Sequence, residues 1–190
     1  MVRTLQTVLF LKTDQKMTLA QAKWTAPAFS ENNVAIAVAA NDYFIPYCAT
    51  FLKSVAEHSD SKKNYDILLL SQDVSDINVK HVEKLLSAWS NISLRVIDPS
   101  VLIDQYIFYI RGHFSKETYY RLVLPELLPN YDKVLYLDSD MIAMDDVAKI
   151  YDENIDGYLL AACYDADTAG LYNGYEKDKK EYTDKVLKLK

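Results

Sequence analysis

Two aspartates one residue apart, Asp138 and Asp140, close the run KVLYLDSD at 133–140. The apolar stretch Val134 to Leu137 leads straight into them. A charge that ends a run fit for the protein interior is costly unless something pairs with it. Read as a strand, the run turns both carboxylates the same way, with alpha carbons roughly 6.6 Å apart. Held that close, they repel each other unless a cation sits between them. Oxygen ligands suit Mg²⁺ at about 2.1 Å, and Mn²⁺ accepts the same donors. An octahedral ion bound there keeps positions free for water and for two phosphate oxygens. Chance competes with this reading. Nineteen aspartates in 190 residues produce roughly two Asp-x-Asp triplets at random, and Asp165-Ala166-Asp167 is a second one. What separates Asp138-Ser139-Asp140 is its place at the end of an apolar strand.

Arg121 is the best candidate for a positive group beside these carboxylates. Its guanidinium can grip a diphosphate in a two-pronged fashion. It can equally pair with Glu117, four residues earlier on one helix face, and the residues alone leave both readings open. His113 reads as a structural loop histidine. Asp165 is either a cap at a strand end or a site residue. Asp145 and Asp146 read as the start of a helix, where negative charge is favoured.

These groups need elements to position them. VAIAVAA (34–40) is a short apolar run suited to a buried strand, punctuated by Asn41-Asp42. Phe44, Tyr47, Cys48, Phe51, Leu52 and Val55 then recur at helical spacing, which predicts an amphipathic helix to about His58. YDILLLS (65–71) is a second buried strand, and Ser75 or Asp76 caps a second helix with Val82, Leu85, Leu86 and Trp89 on one face. ISLRVID (92–98) is a third strand. After a less regular stretch, Ser115 opens a helix whose inner face is Tyr119, Leu122 and Val123, ended or kinked by Pro125 and Pro129. KVLYLD is a fourth strand and GYLLAACYD (157–165) a fifth, before a charged helical tail at 176–190. Residues 1–33 carry weak periodicity and are expected to be an extension or an extra strand; residues 34–190 form the domain.

A β-α-β-α-β order calls for a parallel sheet with helices on both faces. In such α/β sheets the ligand sits beyond the carboxyl ends of the strands. Asn41-Asp42, Asp138-Ser139-Asp140 and Asp165 all fall at strand ends, so neighbouring strands would bring them to one crevice.

Composition narrows the function. Half of the chain is hydrophobic and a quarter is charged, enough for a core and inconsistent with disorder. A net charge of −6 excludes a general nucleic-acid binder but not an anionic ligand, because one metal ion and one arginine reverse the sign locally. Cys48 and Cys163 read as small core residues of a reduced, cytoplasmic protein, and two cysteines with three scattered histidines make no zinc site. No apolar stretch approaches the roughly 20 residues of a membrane span. The N-terminal segment lacks the pattern of a secretory signal.

VAIAVAANDYFIPYCATFLKSV, HFSKETYYRLVLPELLPNYDKVLYLDSDMIAMDDVAKIYD and LLAACYD together resemble the glycosyltransferases of family 8. The resemblance runs from about Val34 to Asp165. It implies the GT-A fold, a Rossmann-like, mostly parallel sheet. It also implies retaining transfer of a hexose from a UDP-sugar with Mn²⁺ or Mg²⁺. The acceptor would be a hydroxyl of a carbohydrate or of a lipid-linked or protein-linked glycan. By the same resemblance, Ala39, Ala40, Asn41 and Tyr43 hold the uracil and ribose, although the family often has aspartate at Asn41 and asparagine at Tyr43. Arg121 touches the phosphate and sugar side of the donor. Asp138 and Asp140 bind the metal, with Asp138 and Ser139 beside the nucleotide, and Asp165 lies near the transferred sugar.

The family continues with a Phe-Asn-x-Gly segment, an Asp-Gln-Asp segment and a late His-x-x-Gly-x-x-Lys-Pro-Trp run, none of which occurs here. The late histidine is the third metal ligand and the late lysine grips the phosphates. The resemblance therefore implies a GT-A domain truncated at its C-terminus, with little activity alone, and any peripheral membrane contact left to the missing part. A non-catalytic nucleotide-binding module of the same fold is the alternative. A haloacid dehalogenase-type phosphatase fits worse, because only 50 residues follow Asp140 and Ile142 replaces the usual Thr or Val.

Overall fold

The computed structural model of the chain describes residues 9–11, 26–108, 115–163, 170 and 177–188. Five strands form one sheet: β1 (Leu9–Leu11), β2 (Asn33–Ala39), β3 (Asn64–Leu70), β4 (Ile92–Ile97) and β5 (Val134–Tyr136), in the order β1-β5-β2-β3-β4. The last four run parallel, and β1 adds antiparallel to β5. The N-terminal extension thus contributes an edge strand. The inner strands are apolar almost throughout, as expected when both faces are covered.

Alternation along β2 sorts the core into two layers. Val34, Ile36 and Val38 face α1 (Ile45–Glu57) and α2 (Asp76–Leu86), with Phe51, Leu52, Val55, Val82 and Leu86. Ala35, Ala37 and Ala39 face the opposite layer, which holds Tyr120, Val123, Leu124, Tyr131 and Tyr136. Small side chains on this side of β2 leave volume for the tyrosine rings. Pro46 lies in the first turn of α1, where its missing N–H costs nothing, and the Ser75 hydroxyl caps α2 by accepting the Asn78 N–H.

Several expectations are corrected. GYLLAAC at 157–163 is not a strand: Leu159 is 74% exposed, and Tyr158 and Leu160 are also open. A strand needs a hydrogen-bonding edge, and both edges of β5 are already taken by β1 and β2. Lys116–Val123 is a 3-10 helix, so its three-residue repeat buries Tyr120 and Val123 and leaves Leu122 exposed. Tyr119 stacks instead on Phe108, with ring centroids 4.5 Å apart. On α1, Phe44 and Tyr47 lie outside the buried face, and Ile45 takes their place. Cys48 is a core residue, but Cys163 is exposed. The tail is helical over Lys177–Tyr182.

Candidate active site

Strands β2 and β5 are neighbours, pairing Ile36 with Leu135 and Ala37 with Tyr136. Their carboxyl ends therefore release Asn41-Asp42 and Asp138-Ser139-Asp140 side by side, as the strand-end reading requires. The regular strand stops at Tyr136, one residue later the Leu137 N–H still donates to Ala37 O at 3.0 Å, and Ser139-Asp140 lies in a turn. The expectation that both aspartates project from one straight strand is thus corrected. Burial pushes the Tyr136 phenol up to about 12, Arg121 opposes this, and the negative charges of Asp138 and Asp140 both add to it.

Arg121 comes from the 3-10 helix Lys116–Val123. Its Nη2 donates to Asp138 Oδ1 at 2.9 Å and its Nε to Thr118 O at 3.0 Å. The guanidinium also lies over the Tyr136 ring, 4.4 Å from the centroid. An anion, a carbonyl and an aromatic face fix the planar group from three directions. Among the described residues the ion-pair partner of Arg121 is Asp138 rather than Glu117. Ser139 is buried between the two aspartates, whereas Asp140 is exposed.

On the β2 side, Ala39 and Ala40 are buried, and the Ala40 N–H is spent on Leu70 O at 3.2 Å. Asn41 Oδ1 accepts the Phe44 N–H at 3.0 Å, so the side chain shapes the turn that follows β2. Tyr43 is 80% exposed, and the adjacent Phe44 and Tyr47 form a tilted ring pair 5.0 Å apart. Asp42 faces away from a ligand role. Its Oδ1 accepts the Ser75 N–H at 2.7 Å and the Asn78 side-chain amide at 2.8 Å, tying the turn to α2. Asp165 and His113 lie outside the described residues.

The carboxylates of Asp138 and Asp140 follow one strand end and are hard oxygen donors, the donor type that divalent Mg²⁺ and Ca²⁺ take. Among the described residues, no group of three or more His, Cys, Asp or Glu is placed to hold a metal ion. Also among them, no helix is long and apolar enough to cross a membrane.

A third polar network was missed by sequence reasoning. Asp66 on β3 is fully buried and paired with Arg95 on β4, Nη2 to Oδ2 at 2.6 Å. The Tyr131 hydroxyl donates to the same oxygen at 2.7 Å, and the Ala28 N–H at 2.9 Å. The signal was present: a lone acid inside YDILLLS demands a partner. This network clamps residues 26–28 to the sheet and is structural.

The family model for glycosyl transferase family 8 matches residues 35–189. The chain belongs to glycosyl transferase family 8. It is 31% identical over 133 residues to the glycosyltransferase GlyF of Streptococcus pneumoniae serotype 4, covering 68% of this chain and 31% of GlyF. Among solved structures, the bifunctional glycosyltransferase WbbM in its apo form is 32% identical with a TM-score of 0.74, covering 86% of this chain and 30% of WbbM. The galactosyltransferase LgtC, solved with donor and acceptor sugar analogues, is 30% identical with a TM-score of 0.52, covering 64% and 43%. The family-8 chain spans between 27% and 44% of the length of the curated relatives it matches. Its sheet is the GT-A sheet of these enzymes.

Proposed function

We propose that this chain is the nucleotide-sugar-binding portion of a retaining, divalent-metal-dependent hexosyltransferase that uses a UDP-sugar. The observation that carries the proposal is the Arg121–Asp138 ion pair at the carboxyl end of β5, with Asp140 in the turn that follows, beside the turn after β2. The likeness to LgtC, which was solved with donor and acceptor sugar analogues, supports a sugar donor and a sugar acceptor. The acceptor is a hydroxyl of a carbohydrate or of a lipid-linked or protein-linked glycan, and the reaction is cytoplasmic.

Asp138 and Asp140 would hold Mn²⁺ or Mg²⁺. When bound, such an ion supplies Lewis-acid neutralisation of the diphosphate charge that grows as the sugar leaves. The chain's own residues do the rest. Arg121 is pre-set over Tyr136 to donate charge-assisted hydrogen bonds to the phosphates. Asn41 shapes the turn that receives the uracil and ribose, with the backbone of Ala39 and Ala40 beneath them and Tyr43 at the open side. Ser139 packs the turn between the two carboxylates. Asp165 is assigned to the sugar side of the site. The bond from the anomeric carbon to the diphosphate breaks with its electron pair left on UDP, and the acceptor hydroxyl oxygen bonds on the face so vacated while its proton passes to the departing diphosphate, which retains configuration.

Calorimetry with UDP tests this reading, with and without Mn²⁺, on the chain and on Asp140→Ala. Binding that needs Mn²⁺ and is lost in the variant is expected. UDP binding that ignores both the ion and Asp140 overturns the reading. Sugar transfer by the 190-residue chain alone is expected to be slight.

A further inference from the structure

Ser54 occupies the inner face of α1 among Phe51, Val55 and Ala56, where an alanine would suit helix and core equally well. Its hydroxyl is committed in two directions. It donates to Phe51 O at 2.7 Å on its own helix, which leaves its lone pairs turned outward. It accepts the Ala143 N–H at 2.8 Å, across 89 positions of sequence. Both Ser54 and Ala143 are buried, so water does not stand in for this bond. Ala143 lies three residues after Asp140.

A second tie lies just beyond. The Tyr65 hydroxyl donates to Asp146 Oδ1 at 2.7 Å, and the same oxygen accepts the Ala148 N–H at 2.9 Å. On the other side, the Leu137 N–H is fixed to Ala37 O at 3.0 Å. Between Leu137 and Ala143 the backbone runs through Asp138, Ser139 and Asp140. Ser54 therefore closes the short arch that carries both carboxylates.

We infer that Ser54 is a positioning residue for the Asp138-Ser139-Asp140 turn, acting through the Ala143 amide to hold Asp140 where it can share a cation with Asp138. The inference rests on the reading of Asp138 and Asp140 as cation ligands. Two carboxylates meet one ion only within tight tolerances, so the shell behind them matters. Removing the hydroxyl orphans a buried N–H, and the arch relieves that cost by shifting toward water.

The test uses residues 1–190 with three substitutions. Ser54→Ala removes the hydroxyl, Ser54→Thr keeps it, and Val82→Ala thins the same core on α2. The readouts are melting temperature, hydrogen exchange at the Ala143 amide, and calorimetric titration with UDP and Mn²⁺. Ser54→Ala is expected to speed exchange at Ala143 and weaken UDP·Mn²⁺ binding about tenfold. Ser54→Thr should bind like the unmodified chain, and Val82→Ala should lose stability without losing affinity. Should Ser54→Ala fail to fold, Ser54→Cys carries the same comparison. Unchanged affinity in Ser54→Ala overturns the positioning role, as does an equal loss in Val82→Ala. If the unmodified chain itself ignores UDP and Mn²⁺, the cation-site reading falls and this role falls with it.

Discussion

Arg121 and Asp138 are joined at 2.9 Å, each with a side chain only 18% exposed. The pair gives Asp138 a positive neighbour without any ligand, and it holds the guanidinium beside the strand end from which a diphosphate would be gripped. Arg121→Ala removes both services. UDP affinity should fall about tenfold or more, the worth of a charge-assisted hydrogen bond. Arg121→Lys restores the charge but not the fork or the stack on Tyr136, so recovery should be partial. Calorimetry on the two variants decides, and full recovery by lysine would refute the two-pronged role.

Asp140 is exposed, so Asp140→Asn should leave stability within about 0.5 kcal/mol of the unmodified chain. On the proposed reading, its effect is on cation binding. The dependence of UDP binding on Mn²⁺ should disappear while the melting temperature stays put. A melting temperature that drops sharply would make Asp140 a structural residue instead.

The buried pair of Asp66 and Arg95 behaves in the opposite way. Asp66→Ala leaves the Arg95 guanidinium and the Tyr131 hydroxyl without their shared acceptor. A loss of roughly 3 kcal/mol in denaturant unfolding is expected, since half of a buried ion pair is left behind. UDP affinity under native conditions should change little, because this network lies away from the strand ends that carry Asn41 and Asp138.

Acid should weaken the fold through its hydrogen-bonded carboxylates. Backbone and side-chain donors from Ser75 and Asn78 hold Asp42 below the usual carboxylate range. Lysine partners do the same for Glu57, Asp104 and Asp145. A group whose folded value is depressed stabilises fully above its unfolded value, near pH 4. That stabilisation is lost as pH falls through the lower, folded value. Melting curves between pH 6 and pH 3 should therefore decline below about pH 4, and Asp42→Asn should flatten part of the decline. Identical profiles for Asp42→Asn and the unmodified chain would remove Asp42 from this account.

The inner strands were legible because apolar runs such as VAIAVAA have only one environment that suits them. Helices α1 and α2 announced themselves by their period and by Ser75. The helix after Ser115 misled because Tyr119, Leu122 and Val123 fit an α-period as well as Tyr120 and Val123 fit a three-residue one. GYLLAAC looked like a strand because apolarity is local, whereas a free sheet edge is a property of the whole fold. The Asp138 partner of Arg121 lies 17 positions away, a contact that spacing cannot report. Ser54 was hidden for the same reason, although a hydroxyl among Phe51, Val55 and Ala56 was a hint that something distant needed it.

The ladder between Leu9–Leu11 and Val134–Tyr136 gives those three N-terminal residues a weight beyond their length. Trimming them would bare the outer rim of β5, whose amides and carbonyls would then invite a foreign strand. Self-association would begin at the strand that delivers Asp138, beside the site proposed for the nucleotide. Shielding that rim makes the N-terminal stretch a guardian of solubility as well as of shape.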